Sequence, residues 1–121
     1  MPKLSSPKSK GSAYERELAA YFRNTLDLEV WRSSLSTKLG QPTSGNPDLA
    51  GLPGLAVEAK RHERSSWNEW FAQAARNASS GEIPIVINRR NREALEHSKV
   101  MLYLKDFTTL YRSHLTLTGR L

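Results

Sequence analysis

The chain contains no cysteine, which removes disulfides and thiolate-held metals from consideration and fits a reducing cytoplasm. It has no apolar run approaching the roughly 20 residues that span a bilayer. Its opening stretch, "MPKLSSPKSKGS", lacks the hydrophobic core of a signal peptide. His62, His97 and His114 show no metal-ligand spacing such as H-x-x-x-H and read as surface histidines. No internal repeat and no second domain is visible in the 121 residues. Acid is the scarcer charge: 12 Asp and Glu stand against 18 Lys and Arg, a net charge of +6. Such an excess is the footprint of a nucleic-acid binder, the plainer alternative being a basic surface kept for solubility. Its distribution favours binding, since Lys3, Lys8 and Lys10 meet no acid in the first ten residues and "NRRNR" packs three arginines into 88–92.

Residues 1–11 are rich in Pro, Ser and Lys and read as a flexible basic arm ahead of one domain over 12–121. "SAYE" (12–15) has capping-box form, and Tyr14, Leu18, Tyr21, Phe22 and Leu26 follow at helical spacing, so a helix is predicted to end near Asn24. "LEVWR" (28–32) alternates like a strand. Residues 33–46 are Ser/Thr/Gly/Pro-rich and read as a long loop of the kind that often carries function. "DLA" (48–50) and "LAVEAK" (55–60) read as strands of a hairpin turned by "GLPG". A second helix is predicted from a Ser66/Glu69 capping box towards Gly81, then strands at "IPIVIN" (83–88) and "KVMLYL" (99–104). Pro84 belongs at a strand start or an edge, and Asp106 is placed to cap a short last helix. The order helix, three strands, helix, two strands, helix describes an α/β sandwich with a mixed sheet.

The chemistry sits in "NPDLAGLPGLAVEAK" (46–60). Residues two apart on a strand face the same way, so Glu58 and Lys60 project from one face. If the hairpin closes through "GLPG", Asp48 lies near Glu58 on the neighbouring strand. Two carboxylates repel unless a cation lies between them. A hard divalent ion such as Mg²⁺, with Mn²⁺ as a substitute, suits such oxygen ligands and keeps waters for a phosphate, and the Ala59 carbonyl is placed to help. Lys60 can then orient the attacking water, assist its deprotonation or stabilise transition-state charge, which is the chemistry of phosphodiester hydrolysis. The plain alternative is a Glu58–Lys60 salt bridge on one sheet face.

Pro47-Asp48 and Glu58-Ala59-Lys60 resemble the P-D…(D/E)-x-K pattern of the nuclease superfamily with the restriction-endonuclease-like core. "GSAYEREL" (11–18) resembles the first helix of archaeal-type Holliday junction resolvases. By that resemblance Glu15 joins the metal site, rather than only capping its helix, and Arg16 serves the active site or its DNA contacts. The stretch "PDLAGLPGLAVEAKR", with Trp67, Trp70, Gln73, Ala74 and "INRRN" after it, is similar to small phage and prophage resolvase-like endonucleases. The resemblance covers about residues 11–110. It departs from the archaeal pattern at Ala59, where Val is usual, and in the long loop 33–46. It implies a homodimer cutting symmetrically placed strands of branched DNA in recombination and repair, in the host cytoplasm if the chain is phage-encoded. The expectation is thus a Mg²⁺-dependent junction-resolving endonuclease with Glu15, Asp48, Glu58 and Lys60 in its active site. The alternatives are the same core acting on flaps, nicked or plain duplex DNA, or a non-catalytic DNA-binding module. Lys10, Arg16, Arg32, Ser33, Lys38, Arg61, Gln73, Arg89 and Arg90 are the DNA-contact candidates. For Gln73 an exposed helix position, and for the arginine run with Arg92 a solvated basic face, remain equally good readings. Trp67 and Trp70, three apart with Phe71 and Ala74 on the same stripe, read as packing.

Overall fold

A computed structural model of the chain describes residues 7–33 and 46–121. "LAVEAK" forms β3 (Leu55–Lys60), and the rest of the sheet is laid around it. On one side β2 (Leu49–Ala50) pairs antiparallel through Leu49 opposite Val57, and β1 (Trp31–Arg32) pairs antiparallel with β2. On the other side β4 (Ile83–Asn88) runs parallel to β3 over six residue pairs, from Leu55 opposite Ile83 to Lys60 opposite Asn88. A parallel neighbour needs a crossover, which α2 (Trp67–Asn77) supplies. β5 (Lys99–Met101) closes the order β1-β2-β3-β4-β5 as an antiparallel edge. The mixed sheet flanked by helices is the α/β architecture that the element order predicts.

The two faces of the sheet bury different helices. Val57, Ile85 and Ile87 face α1 (Pro7–Leu26), meeting Tyr14, Leu18 and Ala19, together with Val30, Leu49 and Leu52. Val86 turns the other way, into Trp70, Phe71 and Ala74 of α2. Because β3 and β4 are covered on both faces they read as near-continuous apolar runs. Pro84 fits because β5 pairs only with Val86–Asn88, so no second neighbour asks position 84 for an amide.

Several boundaries differ from expectation. α1 begins at Pro7, so residues 7–11 are helical and the basic arm does not extend to residue 11. Proline at a first helical position loses no helical hydrogen bond, because that amide has no partner there anyway. Ser12 is therefore inside the helix, and its hydroxyl accepts from Arg32 Nη2 at 3.2 Å instead of capping. Tyr21 and Leu26, assigned to the buried stripe, are exposed. At the start of α2 the Ser66 side chain makes no cap bond, and the helix ends at Asn77, well before Gly81. "LEVWR" contributes only Trp31–Arg32 to the sheet, and "KVMLYL" only Lys99–Met101. The remainder of the latter passes into α3 (Leu104–Leu117), which is longer than predicted and has Asp106 in its first turn rather than at its cap. Trp67 and Trp70 meet edge to face, 5.4 Å between ring centroids, as packing residues. All three histidines are exposed. Among the described residues no helix is long and apolar enough to cross a membrane.

The turn between β2 and β3 is what brings Asp48 back beside β3, and Gly51 makes it possible. Its φ is +95°, and a Cβ there would sit 1.9 Å from the Glu29 carbonyl oxygen. Gly54 also has positive φ, +82°, but open space around it. Gly51→Ala is expected to cost about 2–4 kcal/mol and Gly54→Ala only about 1, read as separate shifts in chemical-denaturation midpoints.

Candidate active site

Asp48 is pinned from three directions. Its amide donates to the Val57 carbonyl at 2.9 Å, its carbonyl accepts from the Ser33 amide at 2.9 Å, and its Oδ2 accepts from the Ala59 amide at 2.9 Å. A strand residue sends its N–H and C=O towards the same edge, so the Ala59 carbonyl is directed to the Asp48 side of β3. Pro47, the residue before Asp48, has no amide to offer that carbonyl.

Glu58 follows Val57 on β3 and so faces α2, where it is 1 % exposed. Asn77 at the end of α2 donates from Nδ2 to Glu58 Oε1 at 2.8 Å, and Oε2 is buried without a hydrogen-bond partner. Burial, then the neighbouring Asp48 charge and a hydrogen bond between the two carboxyl groups, push the Glu58 carboxyl up to about 7; Asn77 and Lys60 pull the other way. Lys60, two residues on, takes the same face, and its Nζ donates to Gln73 Oε1 at 2.8 Å. Gln73 and Asn77 stand four apart on one face of α2, so a single helix positions both the carboxylate and the ammonium. Gln73 is therefore at the site. Asn77 was missed in the sequence; its spacing from Gln73 was the available signal.

Glu15 approaches from α1. Its carboxyl is raised by burial and by the charge of Asp48, while Arg32, with Nε at 3.7 Å from Oε1, opposes the shift. Released from capping because the helix starts earlier, Glu15 is thus within electrostatic reach of Asp48 but paired to Arg32. Arg32 is committed to Glu15 and Ser12 rather than directed outward. Ser33 is buried, and its described contact with the site is the amide bond to Asp48. Lys38 lies outside the described residues.

The remaining basic candidates divide. Lys10, Arg16, Arg90 and Arg92 are exposed. Arg89 is tied down, with Nη1 on Glu17 Oε2 at 2.8 Å and Nε on the Glu93 carbonyl at 2.7 Å. Arg61 donates to the Arg89 carbonyl at 3.2 Å and lies 3.8 Å from Glu63, and Arg90 Nη2 donates to Ser65 at 3.3 Å. The arginine run is therefore partly a structural clasp joining α1, β3 and β4.

Among the described residues no three His, Cys, Asp or Glu side chains are gathered closely enough to cage a metal ion. The donor set still fits a hard divalent cation: two convergent carboxylates, one with an orphaned buried oxygen, and a carbonyl on the same side. A mixed sheet that presents Asp48, Glu58 and Lys60 together in this order defines a nuclease of the PD-(D/E)xK superfamily with the restriction-endonuclease-like fold. A family profile described as "Phage putative PDDEXK endonuclease" matches residues 6–117, and the chain belongs to that family. No curated protein and no solved structure matches it.

The Glu58 shift makes a stability prediction. The unfolded chain gives up this proton near 4.5 and the folded chain near 7, so the folded state's advantage is full below 4.5 and lost as pH rises through 7. In EDTA, Glu58→Gln is expected to stabilise the protein by about 2 kcal/mol at about pH 8 and to have little effect at about pH 4. Thermal melts across that range check it.

Proposed function

We propose that this nuclease is a Mg²⁺-dependent, structure-selective DNA endonuclease whose substrate is the four-way junction. The observation that carries the metal dependence is the meeting of two carboxyl groups: Glu58 Oε2 is buried with no donor supplied to it, and Asp48 beside it raises the Glu58 carboxyl both by its charge and by a hydrogen bond between the two carboxyl groups. An oxygen in that position, beside a second carboxylate, costs stability unless a cation satisfies both. Asp48, Glu58 and the Ala59 carbonyl would hold the ion. When bound, it supplies charge stabilisation for the phosphate and lowers the pKa of the attacking water.

The chain's own groups do the rest. The Ala59 amide fixes the Asp48 carboxylate, and Asn77 fixes the rotamer of Glu58. Gln73 holds the Lys60 ammonium on the same face, where it can orient the nucleophile or meet charge developing on the phosphate oxygens. Glu15, neutralised in part by Arg32, stands behind Asp48 as an outer carboxylate. Lys10, Arg16 and Arg90 are the exposed cations for DNA phosphates. The choice of a junction over flaps, nicks or plain duplex rests on the "GSAYEREL" helix and its likeness to junction resolvases.

The test is cleavage of a four-way junction beside flap, nicked and linear duplex controls, in Mg²⁺ and in EDTA. Paired symmetric cuts in the junction alone support the reading; equal cutting of every substrate rejects the junction preference. Asp48→Asn is expected to slow cleavage by about 10³-fold or more with DNA affinity largely retained. Full activity in that variant sinks the metal assignment, and a wild-type protein that binds but never cuts makes it a binding module. With about six phosphate contacts, affinity should fall about 10³-fold between roughly 50 and 200 mM salt.

A further inference from the structure

Two carboxyl groups meet at this site, and each has one oxygen taken by a neutral donor. Asp48 Oδ2 accepts from the Ala59 amide at 2.9 Å, and Glu58 Oε1 accepts from Asn77 Nδ2 at 2.8 Å. Glu58 Oε2 is buried with no donor supplied to it. The first donor is main chain of β3. The second is a side chain for which the helix itself has little use. Asparagine is a poor helix former, and Asn77 is the last residue of α2, with extended backbone at Ala78. An ionised carboxylate can only accept, so the nitrogen of the side-chain amide must face Glu58. Gln73, one turn back on the same helix, is engaged with Lys60 instead.

We propose that Asn77 is a positioning residue that sets which divalent cation the site accepts. By holding Oε1 it leaves Glu58 a single oxygen to offer, which suits Mg²⁺ and disfavours Ca²⁺. The inference rests on the metal-dependent reading above and deepens it. Mg²⁺ demands a near-octahedral set of about six ligands, several of them water, and is held through one or two carboxylates. Ca²⁺ takes roughly six to eight oxygens and accommodates a carboxylate through both of its oxygens. One oxygen each from Asp48 and Glu58, with the Ala59 carbonyl, meets the smaller ion's need and leaves its other positions to water and phosphate. To take Oε1 as well, a cation must displace the Asn77 bond or sit against the positively polarised hydrogens on Nδ2. Glu58 is 1 % exposed, so bulk water does not replace that bond once it is broken. A purely structural Asn77, there to satisfy a buried carboxyl and close α2, would affect stability and leave the choice of ion alone.

The test is cation-dependent thermal stabilisation of the full chain without DNA, in magnesium or calcium chloride at constant ionic strength. A cation that binds the folded chain raises the melting temperature once its concentration passes Kd, so the two onsets give the Ca²⁺ to Mg²⁺ affinity ratio. Both ions displace the same protons, so the ratio does not follow how readily Glu58 ionises. Asn77→Ala and Asn77→Leu are each expected to move the ratio about tenfold or more towards Ca²⁺. In both variants Ca²⁺ should stop Mg²⁺-driven cleavage at about tenfold lower concentration than in the wild type. Gln73→Ala should keep the wild-type ratio. An unchanged ratio in both Asn77 variants overturns the inference. So does a change in Asn77→Ala alone, which would make space rather than the donor the cause, or an equal change in Gln73→Ala. Stabilisation that persists in Asp48→Asn places the ions elsewhere and overturns it too. A wild-type chain that neither ion stabilises also overturns it, whereas the metal-dependent reading falls only if Mg²⁺ fails to support cleavage.

Discussion

The structure turns on the burial of one carboxyl group. β3 carries Glu58 into the interface between the sheet and α2, where solvent is gone and Asp48 lies alongside. A carboxylate in such a place is costly to charge. Its partial compensation is a hydrogen bond from Asn77 and the charge of Lys60, and the Asn77 bond exists because α2 crosses back over the face that Glu58 occupies. The parallel pairing of β3 with β4 requires that crossover, so the site's geometry and the sheet's topology are one constraint. Apolar residues on the opposite face of β3, led by Val57 against Tyr14 and Leu18, hold the strand in register while its polar face carries the strain.

Around that centre the charges are apportioned between scaffold and surface. Arg32 steadies Glu15, and Arg89 joins α1 to the loop after β4 through Glu17. Such partly exposed pairs contribute little stability singly, typically under about 1 kcal/mol. Their effect is positional: they fix the first helix relative to the strands that bear Asp48 and Glu58. The net charge of +6 is thus not all available to a polyanion, and the exposed fraction at Lys10, Arg16, Arg90 and Arg92 is the part that a nucleic acid would meet.

Much of the fold was legible along the chain because its signals are local. Period-two alternation placed Glu58 with Lys60, and the Gly/Pro turn placed Asp48 across from them; both hold in the sheet. Among the described residues the expected order of α-helices and strands is kept, with a short 3-10 turn at Leu95–His97 added between the last two strands. What failed were the ends. Ser12 has every feature of a cap, but a cap is decided by where the helix begins, and Pro7 starts it earlier. Tyr21 and Leu26 fit the helical stripe, yet both stand exposed, since spacing along a helix does not say how far its apolar face is covered. Arg89 reads in the sequence as either a phosphate contact or part of a solvated basic face, and neither reading contains Glu17, which α1 brings from 72 residues away to within 2.8 Å of it.

By itself the sequence determined the class of chemistry: residue types and short spacings put two carboxylates and a lysine at a turn, and those depend on backbone periodicity alone. Only the tertiary structure decided their states. Whether Glu58 is solvated or buried, whether Glu15 caps or reaches Asp48, and whether Asn77 matters at all are settled by which helix covers which face. Burial and long-range pairing are properties of the packed layers, and desolvation has no counterpart in a linear chain.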